Sequence, residues 1–475
     1  MTLNNDETAI KSISESILAN LPYTPNEDQA MLIVTFASFC NAKNQDSIFL
    51  LNGHAGTGKT SLTGALVKTL TQNQQKTVLL APTGRAAKVF AEYSGHSAFT
   101  IHRKIYRQKS FSPEYGGFQI SENKHTDTLF IVDEASMIPN SSSDVASFGT
   151  GRLLDDLVEY VYSGTNCRLI LLGDNAQLPP VGLTESPALS EEQLRGYGLS
   201  IYQFTLTKSA RQAQESGILY NASILRQNMK AEQLMPPVFQ LSGYEDIQNL
   251  SGEYLLEKIS DCYARDGLNN TIIITRSNKR ATQFNMAIRN QILYREDELV
   301  AGDMLLVSKN NYFWSREYEE IDFIANGDIA RVSRVRGTTS CYSFRFADVE
   351  LEFPDRNVEL DARIILNALT SDAPALTREQ NQLLYSEIMD ELPGSAREKY
   401  KALKNNDFYN ALQVKYAYTV TCHKAQGGQW KNVFIDMGYI TEDAMRSIDF
   451  YRWLYTAVTR ASSQVYLINS PLESL

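Results

Sequence analysis

The sequence predicts an α/β protein with largely parallel sheets, and three observations predict it. Short apolar runs alternate with helical patterns along most of the chain. A glycine-rich loop, GHAGTGKT at 53–60, joins the first of these runs to a helical stretch. One long region, 298–410, breaks the rhythm with β-like runs and then a polar helical stretch, as an insertion into an α/β domain would.

Taken in order, the strand candidates are 47–52, 77–81, 128–132, 168–172, 271–275, 414–420, 432–436 and 464–468. Helices fit between them, for example 58–71 and 84–93. Inside the insertion, 303–307, 329–335 and 341–353 read as strands and 376–404 as helical. In SFSPEYGGFQI, 110–120, Gly116 and Gly117 lie between aromatics, which signals a tight hairpin. A chain of 475 residues is too long for one ordinary core, so two to four domains are expected.

Hydrophobic residues make up 43% and charged residues 21%, a globular composition. No apolar run is long enough to span a bilayer, and the polar N-terminus has no signal-peptide core. A cytoplasmic protein without a membrane partner is expected. The five cysteines (40, 167, 262, 341, 422) are scattered without a CxxC pair, which suggests neither zinc nor a disulfide framework. The net charge of −10 argues weakly against nucleic acid, but local patterning reverses that. Residues 76–110 hold seven Lys/Arg against one acid, and 271–290 hold four against none. A polyanion needs a basic groove, not a basic protein. Two solvated helix faces would give the same pattern.

Gly53, Gly56 and Gly58 let the 53–60 backbone curl so that its N–H groups face phosphate oxygens. His54, Ala55 and Thr57 complete the loop, and Ser61 follows it onto the helix, whose positive dipole end adds to the site. Lys59 would reach the β- and γ-phosphates, and Thr60 would ligate Mg²⁺. The run TLFIVDEASM, 128–137, ends in two carboxylates. Asp133 can hold Mg²⁺ beside Thr60, and Glu134 can orient or deprotonate a water, which favours hydrolysis. In LILLGDNAQLPPV, 169–181, Gln177 can bond a γ-phosphate present in ATP and absent in ADP. An Asx turn leading into an extended segment would look the same.

The ordered set GHAGTGKT, APTGRAAK, TIH, DEAS, GDNAQLPP, SARQ, HKAQGGQW and YTAVTRA resembles the superfamily 1 helicases, within them the RecD/Dda-like branch, 1B. The resemblance covers nearly the whole chain. It implies two RecA-like motor domains with ATP between them, single-stranded and tailed or forked duplex DNA as partner, and action as a monomer. Gln29, in TPNEDQ, matches the glutamine that reads adenine. Arg211 and Arg460 match the two arginines that reach the γ-phosphate, although Arg460 alone could equally make a surface salt bridge. TCHKAQGGQW, 421–430, resembles the motif that touches the strand near the ATP cleft, which puts Gln426 among the nucleotide contacts. Its glycine pair lets the chain approach a phosphate backbone.

By the same resemblance Pro82, Thr83, Thr100 and His102 contact the strand from the first domain. Thr275, Asn278, Thr421, His423 and Lys424 do so from the second. His102 reads equally well as a structural histidine. The 103–128 insertion implies a duplex-splitting pin with Tyr115 or Phe118 at the last base pair, and 298–410 implies a small SH3-like β barrel with a helical extension. The expected domains are 1–102 with 129–200, and 201–297 with 411–475. The branch's additional nuclease or N-terminal domain finds no room here, so no nuclease activity is expected. The family implies a 5′-to-3′ translocase and helicase. An RNA helicase or a strand-stimulated ATPase without unwinding shares most of these residues, and a P-loop phosphotransferase shares the phosphate loop.

Overall fold

The computed structural model describes residues 2–108, 118–141, 148–208, 215–318, 321, 323–354 and 356–472. The first sheet contains β1 (Ser47–Gly53), β2 (Lys76–Ala81), β3 (Ala98–Thr100), β6 (Thr128–Val132), β7 (Arg168–Gly173) and β8 (Ser200–Leu206). A separate two-stranded hairpin is formed by β4 (Tyr106–Gln108) and β5 (Phe118–Ile120). The first sheet runs β3-β2-β6-β7-β1-β8, with every pairing parallel. Its central strands are buried on both faces, which is why they read as unbroken apolar runs. Phe49, Leu51, Ile131 and Leu172 face the helices Glu27–Asn41 and Lys59–Gln72. Leu50, Phe130 and Leu171 face the helix Leu153–Tyr162.

The second sheet contains β9 (Ile247–Leu250), β10 (Thr271–Thr275), β16 (Thr419–Thr421), β17 (Trp430–Asp436) and β18 (Ala461–Ile468). Its order is β16-β10-β17-β18-β9, again all parallel. Between β10 and β16 the chain builds a closed barrel from β11 (Met304–Val307), β12 (Ile329–Cys341), β13 (Phe344–Phe353), β14 (Val358–Ile365) and β15 (Leu412–Tyr416). The helices Arg378–Glu391 and Ala396–Lys404 extend it. One hydrophobic core runs from the second sheet into the barrel.

Three sequence expectations are corrected. Residues 200–206 pair with β1 along its whole length and so belong to the first sheet, not the second. The apolar run 414–420 is two strands, because Tyr416 closes the barrel against β11 while Thr419 pairs with β10. The barrel's last strand therefore lies past residue 410.

Candidate active site and strand groove

The phosphate loop leaves β1 and enters the helix Lys59–Gln72 through Gly58. Gly56 and Gly58 have φ of 76° and 79°, the left-handed region that favours glycine. Gly53 serves differently. A Cβ there would stand 3.0 Å from Cδ of Lys59, so its smallness lets that side chain fold over the loop. No side chain caps the helix, and its first amides are left for an anion. The Thr57 hydroxyl donates to the His54 carbonyl at 2.7 Å and sets the curl. Gln29 is buried, with its amide donating to Thr57 O at 2.9 Å and accepting from Asn26 N–H at 3.1 Å. The residue expected to read adenine thus also braces the loop. Thr60 and Ser61 stand exposed on the first helical turn.

Strand β6 delivers the two acids. The Lys59 ammonium lies 3.7 Å from Asp133 Oδ1, and Tyr93 donates its hydroxyl to Asp133 Oδ2 at 2.5 Å. Burial alone would lower the Lys59 pKa, but the charges of Asp133, Glu134 and Asp174 outweigh it, so the group stays cationic. Burial, and then the charge of Asp133, push the Tyr93 phenol well up, which keeps it a donor. Glu134 Oε2 and Gln177 Oε1 are buried without a hydrogen-bond partner. Orphaned acceptors of this kind mark a site that expects a ligand or water. Among the described residues no cluster of three His, Cys, Asp or Glu could hold a metal by itself. Magnesium seldom needs one, since it binds through one or two protein oxygens and the nucleotide phosphates. Asp133 and Thr60 fit that use, and the ion would supply charge neutralisation between phosphates.

The second motor domain closes the site. Arg460 NH1 stands 3.7 Å from Glu134 Oε1, with the guanidinium held by Thr456 O at 3.2 Å and Gly428 O at 3.3 Å. Tyr455 is fully buried. Its hydroxyl donates to Asp174 Oδ2 at 2.5 Å and accepts from the Ala55 amide at 2.9 Å. His54 Nδ1 lies 3.0 Å from the other Asp174 oxygen. Burial would raise the Asp174 pKa, but hydrogen bonds from His54 and Tyr455 and the charge of Lys59 hold it below the usual carboxylate range. Thr456 accepts from the Leu178 amide at 2.9 Å, and Gln426 donates to the Leu178 carbonyl at 2.7 Å. Gln426 thus grips the loop after Gln177 where a nucleotide contact was expected. Tyr455 and Thr456 went unnoticed within YTAVTRA, and nothing in the sequence flagged Tyr93.

A groove runs between the helix Asn278–Ala287, the end of β16 and the barrel. Asn278, Thr421, Lys424 and Lys415 line it. Burial lowers both lysines to about 8, and the charge of Lys424 adds to the shift at Lys415. Two half-desolvated ammonium groups facing one groove suit a phosphate backbone. Lys415 was missed because it sits inside an apolar run. His423 is exposed beside the groove. In the first domain, Pro82 and Thr83 are half-buried just past β2, and Thr83 and Thr100 use their hydroxyls as helix caps.

Residues 25–235 match a family model described as an AAA domain. An uncharacterised protein of Acanthamoeba polyphaga mimivirus is 22% identical over 93% of this chain and 99% of its own length. The ATP-dependent DNA helicase dda of Enterobacteria phage T4 is 24% identical over 88% of this chain and 93% of its own. Residues 416–468 match the UvrD-like helicase C-terminal domain. The two models and these relatives together support a superfamily 1B helicase of the RecD/Pif1/Dda type. They likewise support an ATP-hydrolysing enzyme. A Bacteroides Pif1 helicase solved with ADP-AlF3 and ssDNA aligns over 94% of this chain and 93% of its own, at 14% identity and a TM-score of 0.46.

Several residues expected to serve a superfamily 1B helicase on the strand are engaged elsewhere. Thr275 is fully buried, and its hydroxyl donates to Ser277 O at 3.1 Å. His102 packs against Phe148 with ring centroids 4.8 Å apart, and burial lowers its pKa to about 4. A neutral imidazole brings no charge to a phosphate. Phe118 pairs with Gln108, in the strand pair next to the hairpin's connecting segment. It is half-buried, stacks on Phe148 at 4.8 Å and meets Tyr312 of the insertion at 4.6 Å, so its ring is already engaged by two aromatic neighbours. The glycine pair has a different neighbour from the one expected. A Cβ on Gly427 would lie 2.9 Å from Ala86 Cβ of the first motor domain, and one on Gly428 would lie 2.6 Å from the Trp430 ring and 2.8 Å from Arg85 Nε. Arg211 and Tyr115 lie outside the described residues.

Proposed function

We propose that the chain is an ATP-dependent DNA helicase that translocates on single strands from 5′ to 3′, with Mg²⁺, as a monomer. The observation that carries the motor reading is Arg460. A second-domain guanidinium, preset by its own backbone carbonyls, stands 3.7 Å from the acid that would activate water in the first domain. Such an arginine stabilises the transferring phosphoryl only while the domains are together, which ties hydrolysis to domain motion. The paired lysines of the groove support a strand held by its backbone. The phage T4 relative, named a DNA helicase, supports DNA over RNA, and polarity rests on the 1B resemblance.

The test is ATPase turnover with no polynucleotide, with single-stranded DNA and with RNA of the same sequence, followed by unwinding of 5′-tailed and 3′-tailed duplexes. Strong stimulation by DNA and unwinding from a 5′ tail are expected. Turnover indifferent to DNA would remove the motor reading, and unwinding only from a 3′ tail would reverse the polarity.

A further inference from the structure

The strand groove uses the ends of two neighbouring strands. Thr421 ends β16 and Lys424 follows it, and Asn278 follows β10. The next strand in the sheet is β17, and all three run parallel, so its C-terminal end lies on the same edge. Three residues beyond that end stands Tyr439, 95% exposed. Its φ is +61°, a left-handed conformation that is costly for a bulky side chain. The fold gains no burial from holding a ring there. Arg280, two residues into the helix that begins at Asn278, is fixed by Asp436 through bonds of 2.8 and 2.9 Å. Its guanidinium lies 5.5 Å from the Tyr439 ring centroid.

Tyr294 makes the contrast. It is 82% exposed with φ +51°, but its neighbour Arg295 bonds Tyr418, which directly precedes β16. Tyr294 therefore belongs to the opposite, N-terminal edge of the sheet, away from the groove.

We propose that Tyr439 is a stacking platform for one nucleobase of the bound strand, one strand-end beyond Asn278. This rests on the single-strand reading above. A base on the exposed ring would be gripped without regard to sequence, since every base has a π face, and the Arg280 charge beside it favours the adjoining phosphate. The left-handed backbone holds the ring outward, ready for the base.

The experiment places 2-aminopurine at successive positions of an oligothymidylate bound to the full chain. One position is expected to be quenched by Tyr439. In Y439A that quench disappears while the others persist, and affinity falls roughly tenfold, the order of one lost stack. Y439W keeps the quench, and Y294A behaves as wild type. On strands too short to pass Asn278, Y439A and wild type bind equally. An unchanged quenching pattern in Y439A, or equal loss at every position and length, would overturn the platform. If the wild-type chain binds no strand at all, the single-strand reading itself falls, a failure visible before any variant is compared.

Discussion

Replacing Tyr455 with Phe removes one oxygen and keeps the ring. That oxygen joins Asp174 and the Ala55 amide of the first domain to a helix of the second. A hydrogen bond to a charged group contributes about 1.5–3 kcal/mol, and an amide left buried without a partner costs about 1–3 kcal/mol. Both losses are softened here. Asp174 keeps His54 at 3.0 Å and the Ala176 amide at 3.0 Å, and the Ala55 amide lies in a part-buried position. A net weakening of the domain contact by about 2 kcal/mol is therefore expected, roughly thirtyfold in the closing equilibrium. Closure brings Arg460 to Glu134, so DNA-stimulated kcat should fall roughly tenfold or more while KM for ATP and the melting temperature move little. The assay is steady-state ATPase at saturating single-stranded DNA, with Tm measured alongside. A kcat within about twofold of wild type would refute the reasoning, because the Tyr455 contact would then not limit closure.

Three further outcomes follow from the site. Glu134→Gln should bind ATP and strand normally yet turn over roughly a hundredfold or more slower, whereas Lys59→Ala should lose ATP-driven activity outright; single-turnover hydrolysis separates them. Strand affinity should fall as pH rises through about 8, where Lys415 and Lys424 lose their protons, well before ordinary lysines near 10.5 would. Their folded pKa lies below the unfolded value, so the unfolded chain binds more protons between about 8 and 10.5 and fold stability should rise with pH in that window, opposite to affinity. Anisotropy and denaturant titrations from pH 7 to 10 check both signs, and Lys424→Met should flatten both curves. Phe118→Ala should destabilise the fold by about 2–3 kcal/mol through lost contacts with Phe148 and Tyr312, and lower unwinding and strand-stimulated ATPase together, as denaturant titration and the two assays would show.

Where burial is two-sided, the sequence was readable: β1, β6 and β7 each carry an unbroken apolar run of four residues because helices cover both faces. The strand SIYQFTL at 200–206 escaped notice because an edge strand buries less and mixes polar residues in. The run 414–420 has no internal sign of its break, which is set by two sheets that the rest of the chain supplies. In the phosphate site, loop curvature and charge are local, so Lys59, Asp133 and Glu134 fall where their spacing put them. The strand contacts were less legible. A threonine or histidine at a strand end has the right chemistry for phosphate, yet Thr275 and His102 are claimed by a nearby carbonyl and a distant Phe148. Gly427 and Gly428 announce a close approach, but only the fold says to what.

Ten residues, Thr421 to Trp430, carry the link between the two sites. Thr421 and Lys424 line the groove. Gln426 holds the Leu178 carbonyl, one residue past Gln177, at 2.7 Å. Gly428 O receives Arg460 at 3.3 Å, and the Trp430 amide donates to Arg460 O at 3.0 Å. The Trp430 ring lies 3.9 Å below the Arg85 guanidinium of the first domain. The segment is short, buried at Cys422, Ala425, Gln426, Gly427, Gly428 and Trp430, and pinned at both ends by strands. Packed backbone of this kind does not absorb displacement by stretching; it shifts as a piece. On the proposed function, an Arg460 that follows a γ-phosphate would carry Gly428 with it, and Lys424 lies four residues away on the same piece. Loss of the phosphate would then release the arginine and shift the lysine relative to a bound strand. Coupling of hydrolysis to grip would need no long pathway, because one peptide segment touches Arg460, the first domain and the groove.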